Sequence, residues 1–392
     1  MNSTDLWTQM KAGREELVAF AQKLVQTPSP SGQEGDVAAL MQAEMLRLSY
    51  DQVWVDEAGN VIGRIAGEDG PSLMLNGHMD HVAADNPSRW RYPPFGAEIH
   101  QGELWGRGSV DMKGALAAMV YAGGVLKELG AQLPGDLYVA AVVQEEVGGL
   151  GARYLSRTLP VERAIVGEPS GNNLRRGHRG RVELCAHFEG RSVHASTPEL
   201  CINPHYSAAS FVQALRQLSM AGDPDYGASS VVPTRVTSEP DSANVTPSVL
   251  HLVLDWRNVP DETPEQILGR LESLQASCLQ PGCAGRVELG TKDLVTYTGF
   301  PYVFPDVFPS FTTPRDHPFL LDARAALVAV LGRDVEVDMW RLASDGAHFA
   351  AEGVTVLGFA PGDDTLVHTV EERLPLDQLV ESAVAYAALA LV

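Results

Sequence analysis

The sequence predicts an α/β fold: a three-layer domain whose mixed, mostly parallel sheet lies between helices, plus an inserted α+β domain. Three observations predict it. Apolar strand-like runs alternate with helical periodicity over roughly the first 175 residues, the pattern of a sheet covered on both faces. The texture changes between about residues 177 and 290, where alternating, half-buried strand patterns bracket a helical stretch. The chain of 392 residues exceeds the size at which a single core usually keeps growing. The expected division is 1–176 with 292–392 as one discontinuous domain, and 177–291 as the insertion.

Each element follows from local pattern. Residues 17–25 have helical spacing and stop at the turn-rich Thr27-Pro28-Ser29-Pro30-Ser31-Gly32; a second helix is expected over 33–48. Residues 52–55 and 61–65 read as strands around the Ala58-Gly59-Asn60 turn. A short apolar strand at 72–76 delivers His78, a helix rich in alanine and leucine spans 115–129, and strands at 137–143 and 164–166 follow. In the insertion, 181–188 and 249–256 alternate as half-buried strands, with helices over 204–220 and 264–276. The α/β pattern then returns, with a helix at 318–331, a strand at 354–359 and a closing helix at 376–391.

Composition narrows the function. A formal net charge of −21 argues against nucleic acid or anionic membrane as partner, because both need a basic face. Only five of the 29 basic residues are lysine, so cationic recognition falls to arginine, which grips carboxylates with a bidentate fork. Residues 1–21 contain no apolar core of a signal peptide, and no run approaches the ~18 apolar residues of a membrane span. Cys185, Cys201, Cys278 and Cys283 are sparse and form no Cys-x-x-Cys. Reduced thiols in a cytoplasmic protein are expected.

The chemistry lies in side chains suited to metal, in a fixed order along the chain. They are His78 in Asn76-Gly77-His78-Met79-Asp80, Asp111 in Gly106-Arg107-Gly108-Ser109-Val110-Asp111-Met112-Lys113-Gly114, the pair Glu145-Glu146, Glu168 in Val166-Gly167-Glu168-Pro169, and His368 in Leu366-Val367-His368-Thr369. Each follows or ends an apolar run beside glycine or a turn, as strand-end loops do. Imidazole nitrogens and carboxylate oxygens together suit a borderline divalent cation. Asp80, two residues beyond His78, can accept from that histidine's second nitrogen and fix its tautomer. Two adjacent glutamates would repel unless a cation sits nearby, so one can bind metal while the other handles protons.

Singly, each residue has a plainer reading. His78 fits a buried histidine satisfied by a local carboxylate, Asp111 a helix N-cap, and Glu145-Glu146 solvated charges at a strand end. His81 points away from His78 and reads as structural. Other catalytic classes fare worse: there is no nucleophile elbow, no His-Glu-x-x-His and no phosphate loop. Ser344, Asp345 and His348 are too nearly contiguous to make a triad.

Taken together, the motifs resemble those of the co-catalytic two-zinc family that includes acetylornithine deacetylase, succinyl-diaminopimelate desuccinylase, aminoacylase and glutamate carboxypeptidase. The resemblance runs nearly end to end. It takes in 27–34, Asp56-Glu57-Ala58-Gly59-Asn60-Val61, the His78 segment, 90–95, the Gly106 to Gly114 stretch, Glu145-Glu146 and His368-Thr369-Val370-Glu371-Glu372.

The resemblance implies that Asp111 bridges two divalent ions, one also held by His78 and Glu168, the other by Glu146 and His368. Zinc is the expected ion, with cobalt and manganese sharing its ligand preferences. Asp80 would orient His78, and Glu145 would be the general acid/base. Two metals lower the pKa of a shared water toward neutrality and polarise a carbonyl, with Glu145 taking the water's proton and passing it to the leaving amine. A cis peptide is expected between Asp111 and Met112.

The insertion carries Gly190-Arg191-Ser192-Val193-His194-Ala195-Ser196-Thr197-Pro198, similar to the family's lid motif, whose histidine reaches the partner subunit's site and donates to the developing oxyanion. Arg179, Asn244 and Arg257 match lid positions that grip the substrate's carboxylate, although salt-bridge roles for the arginines stay open. A homodimer through the lid is implied.

One departure bears on substrate. The chain reads Leu342-Ala343-Ser344-Asp345-Gly346, and Ala343 lacks the hydroxyl that the desuccinylase has there, which weakens the case for a desuccinylase. The expected activity is hydrolysis of the amide of an N-acyl amino acid, with di- or carboxypeptidase action second. A metal- and acyl-amino-acid-binding protein without turnover is the alternative from another class, but it would need neither Glu145 nor His194.

Overall fold

The strand Leu73–His78 is buried at every position. It pairs in parallel with Leu137–Val142 on one side and Arg163–Val166 on the other. Parallel strands flanked in this way are covered on both faces and need near-continuous apolar sequence, which these three segments have. The computed structural model describes residues 3–392. The chain forms two compact units, one of Met1–His178, Leu294–Tyr302 and Phe311–Val392, the other of Arg179–Asp293 and Val303–Ser310.

In the larger unit a nine-stranded sheet runs in the order Gln52–Val55, Val61–Ile65, Leu137–Val142, Leu73–His78, Arg163–Val166, Thr355–Gly358, Leu174–His178, Phe311–Thr312, with Val337–Trp340 also on Leu174–His178. The sheet is mixed, and its parallel run is concentrated at the centre. Thr355–Gly358 extends that run beside Arg163–Val166, while the strands at the Gln52 end pair antiparallel. Side-chain alternation then sorts the layers. Met74, Ala140, Val142, Ala164 and Val356 pack with Ala152, Leu155, Ala347 and Phe349 from the helices Leu150–Thr158 and Gly346–Ala351. Gly77 and Gly167 face the other way, where an added Cβ would strike Met112 and Leu116, or Met119 and Met112. The helix Gly114–Glu128 therefore lies against the backbone of the central strands on that face, and the closing helix Leu376–Leu389 packs on it.

The smaller unit is a two-layer α+β body. Its antiparallel sheet runs Ser230–Glu239, Val249–Arg257, Arg181–Glu189, Ala284–Leu289. Val182, Leu184, Ala186 and Phe188 alternate onto one face and bury Phe211 and Leu215 of helix Pro204–Leu215, with Ile267 and Leu271 of helix Pro264–Cys278. The second helix starts with a capping box in which Thr263 and Gln266 satisfy each other's backbone N–H. The first ends at Leu215 rather than continuing to 220, and a two-residue hairpin pair, Gly222–Asp223 with Gly227–Ala228, follows.

Candidate active site

Three adjacent parallel strands point their carboxyl ends at one edge of the central sheet. His78 ends the first; Glu145 and Glu146 follow the second, Leu137–Val142; Glu168 follows the third, Arg163–Val166. Ligand sites in open α/β sheets form outside the carboxyl ends of strands. Asp111 arrives from the loop before helix Gly114–Glu128, and His368 from the turn after the short helix Asp364–Leu366.

The side chains converge. His78 Nε2 lies 2.9 Å from Asp111 Oδ1 and 3.7 Å from Glu168 Oε1. His368 Nε2 lies 3.1 Å from Asp111 Oδ2 and 3.1 Å from Glu146 Oε1. Asp111 thus offers one carboxylate oxygen to each histidine. It makes no N-cap hydrogen bond to the helix that follows, and its peptide bond to Met112 is cis. Ligand atoms of His78, Asp111 and Glu146 fall within 4.8 Å of one another, as do those of His78, Glu145 and Glu168.

A further layer of partners sets this geometry. Asp80 Oδ1 and Oδ2 accept the backbone N–H groups of Glu145 and Glu146 at 3.1 and 3.2 Å, and Ser31 Oγ donates to Oδ2 at 2.7 Å. His78 Nδ1 is 3.1 Å from the Asp80 carbonyl oxygen and 3.4 Å from its carboxylate. Asp80 therefore anchors the glutamate turn as well as the histidine. Glu372 Oε1 accepts from the N–H of Val110 and of Asp111, while Oε2 pairs with the buried Arg107, whose guanidinium lies over Trp90.

Two residues at the site hold left-handed backbone, Gln144 at φ 55° and His368 at φ 63°, a conformation that costs energy outside glycine and clusters at functional turns. Gly149 also needs it: at φ +72°, an added Cβ would lie 2.6 Å from His348 Nε2.

The electrostatics are those of a crowded acidic pocket. Burial pushes Glu145 and Glu168 well above the ordinary carboxylate range, and neighbouring carboxylates, Glu168 and Asp345 for the first and Asp111 for the second, push further. Burial and Asp111 raise Glu146. Burial opposes ionisation of Asp111 too, but hydrogen bonds from His368 and His78 win and hold it below the usual range. Hydrogen bonds to Asp111 and Glu146 raise His368 to about 10. Carboxylates this close cannot all ionise in a low dielectric unless positive charge sits among them. A donor set of imidazole nitrogens and carboxylate oxygens fits divalent cations.

Residues the motif reading passed over complete the site. Asp345, quoted only within the Leu342 to Gly346 segment and the rejected triad, is buried and raised to about 7, by burial first and then by Asp80, and its charge acts on Glu145 and Glu168. Glu372 sits in the quoted His368 to Glu372 segment, yet nothing in that segment announces that it reaches back to residues 107–111. Glu34 accepts from the N–H groups of Gly32 and Gln144 at 2.9 and 3.2 Å. Burial, and then the Asp80 charge, raise it from 4.5 to about 7. The folded protein thus holds this proton more tightly than the unfolded chain. The resulting stability is complete below pH 4.5 and is lost as pH rises through about 7. Between about pH 5 and about pH 8, wild type should lose up to about 3 kcal/mol of unfolding free energy relative to Glu34→Gln. Denaturant titrations at both pH values check this; a pH-independent difference would mean that Glu34 ionises as it does in water.

The remaining candidates all lie in the smaller unit. His194 is exposed on the loop between strand Arg181–Glu189 and helix Pro204–Leu215, and it bridges to Val245. Its Nδ1 accepts from the Ser196 N–H at 3.2 Å. Asn244 lies beside that loop, its carbonyl accepting the Ala195 N–H at 2.9 Å. Arg257 pairs with Asp255 at 2.6 Å, and Arg179 donates to the Ala228 carbonyl at 3.1 Å.

The sequence pattern of peptidase family M20/M25/M40 matches residues 74–392. The chain belongs to that family. It is therefore a metal-binding hydrolase of the metallopeptidase and amidohydrolase type. It is 29% identical over 383 residues to the uncharacterised Escherichia coli protein YgeY, covering 96% of this chain and 94% of that one. It is 28% identical over 411 residues to the N-formyl-4-amino-5-aminomethyl-2-methylpyrimidine deformylase of Halalkalibacterium halodurans, covering 96% and 94%. With the succinyl-diaminopimelate desuccinylase of Pseudoalteromonas atlantica it shares 25% over 386 residues, covering 95% and 97%. Aminopeptidase PepT of Bacillus cereus has the same fold, with TM-score 0.75 at 21% identity over 96% of this chain and 97% of that one. So does YxeP of Bacillus subtilis, a dinuclear metal-binding peptidase, with TM-score 0.72 at 17% identity over 97% and 98%. Among the described residues no helix is long and apolar enough to cross a membrane.

Proposed function

We propose that the protein is a two-metal amidohydrolase that removes the acyl group of an N-acyl amino acid. The observation that carries this reading is the placement of Asp111, one oxygen on His78 and the other on His368, with Glu145 beside them. His78, Asp111, Glu146, Glu168 and His368 would hold two divalent ions, zinc by preference, with cobalt or manganese accepted. When bound, the ions supply Lewis acidity and make water acidic enough to react at neutral pH.

The chain's own residues do the rest. Glu145 accepts a proton from water as the water oxygen adds to the amide carbon, and returns it to the amine nitrogen as the carbon–nitrogen bond breaks. Asp80 holds the N–H groups of Glu145 and Glu146 and so fixes where that proton is handled. His194, Arg179, Asn244 and Arg257 are assigned to the substrate, His194 to the carbonyl oxygen as charge develops and the others to the free carboxylate. The reading includes a cytoplasmic homodimer formed through the smaller unit. Relatives named for removing formyl and succinyl groups support a deacylase. Ala343, which lacks a hydroxyl, weighs against succinyl.

The test is a panel of formyl, acetyl and succinyl amino acids beside unblocked dipeptides, assayed with chelated and zinc-reloaded protein. Cleavage of the small acyl amino acids, lost on chelation and regained with zinc, is expected. Preference for the unblocked dipeptides would make it a peptidase instead.

A further inference from the structure

The open face of the smaller unit's sheet carries a second group of metal-binding side chains that the hydrolytic chemistry does not use. Alternation puts Val182, Leu184, Ala186 and Phe188 toward the helices, so Cys185 and His187 project from the opposite face. Register completes the group. His251 pairs directly with His187 on one neighbouring strand, and Glu288 with Cys185 on the other. Neither partner could be read from sequence spacing, because His251 lies 64 residues from His187 and Glu288 lies 101 away.

We propose that Cys185, His187 and His251 form a site for a zinc-class divalent cation, separate from the hydrolytic pair. One ligand atom from each of the three lies within 4.8 Å of the other two. The hydrogen bonding already matches a metal site. His187 Nε2 faces Glu288 Oε1 at 2.7 Å, which places a proton on Nε2 and leaves the lone pair of Nδ1 directed at His251 Nδ1, 2.5 Å away. A carboxylate behind a ligating histidine is the usual means of fixing its tautomer and raising its basicity.

Two ring nitrogens at 2.5 Å can share one proton; a tetrahedral ion with Zn–N of about 2.0–2.1 Å would instead part them to roughly 3.3 Å. The thiol of Cys185 gives up its proton on binding, and the fourth position stays open to water. Glu288 and Glu183 bring negative charge to this face, and Arg235 and Arg286 bring positive charge. The soft sulfur, more than net charge, selects the ion.

Cobalt(II) titration of the reduced full-length protein tests the site, because the hydrolytic donors are all nitrogen and oxygen. A thiolate-to-cobalt charge-transfer band should appear, vanish in Cys185→Ser, and need at least tenfold more cobalt in His251→Gln. Far-UV circular dichroism and retained amide cleavage would show that both variants fold. No band at saturating cobalt overturns the site and leaves a proton-sharing histidine pair. A band that persists in Cys185→Ser assigns the sulfur to another cysteine, and one unmoved in His251→Gln removes His251 from the ligand set. Either result also overturns the proposal.

Discussion

Replacing Glu145 with alanine should lower kcat for amide cleavage by about 10²–10⁴-fold, the usual contribution of a positioned general base, while the protein still binds two metals. The geometry makes the second half of this expectation as informative as the first. Glu145 lies close enough to His78 and Glu168 for all three to hold one ion, so distance alone does not separate a ligand from a base. The upward push from burial and neighbouring carboxylates does not separate them either, because Glu168 is pushed up in the same way. His78 and Glu168 already share Asp111 as a third ligand, which leaves Glu145 available for proton transfer. Metal content and rate must therefore be measured on one preparation. A variant that loses a metal equivalent assigns Glu145 to coordination, and one that keeps both metals and cleaves within a few-fold of wild type removes it from the chemistry. Glu145→Gln, which keeps the shape and the backbone hydrogen bond to Asp80, separates loss of the proton from disturbance of the turn.

The central strands were legible because their burial on both faces demands continuous apolar sequence. Leu73–His78, Leu137–Val142 and Arg163–Val166 lie within about two residues of the expected bounds. Strands without an apolar face were not. Ser230–Glu239 is ten residues long and edges its sheet, yet it is exposed at eight positions and contains Pro233, so it shows no alternation to read. The small sheet of Glu98–His100, Glu103–Trp105 and Arg373–Pro375 joins strands of three residues from both ends of the chain, too short for periodicity. Helix Leu150–Thr158 is masked by the glycines that open it.

Among the site residues, those in recognisable motifs could be listed in advance. The ones that hold them could not. Glu372 reaches Val110 and Asp111 across more than 260 positions, and Asp345 acts on Glu145 only through charge in a shared pocket. Both lie in segments quoted when the chain was set beside that family, but nothing local in either segment says which distant residues they act on. Asp111 itself looked equally suited to capping a helix, and the carboxylate is instead turned toward two histidines that arrive from opposite ends of the larger unit's sequence.

His194→Ala and Glu145→Ala should each be nearly inactive alone and recover activity when mixed. Removing one donor to a developing oxyanion typically costs about 10²–10³-fold, and the hydrogen bonding of His194 suits that role. Its Nδ1 accepts from the Ser196 N–H, so in the neutral ring the proton sits on Nε2, which is then a donor. If each site takes its histidine from the partner subunit, a mixed dimer has one site with Glu145 from one chain and His194 from the other, and one site with neither. Random exchange at equal amounts puts half the chains' sites into mixed dimers, so about one quarter of wild-type activity should return. A histidine acting within its own chain predicts no recovery, because neither variant then holds a complete set. Exchange must be shown directly, for example with subunits carrying two different labels. Confirmed exchange without recovered activity would confine the site to one chain and remove the dimer from the mechanism, while leaving the metal ligands and Glu145 as they stand.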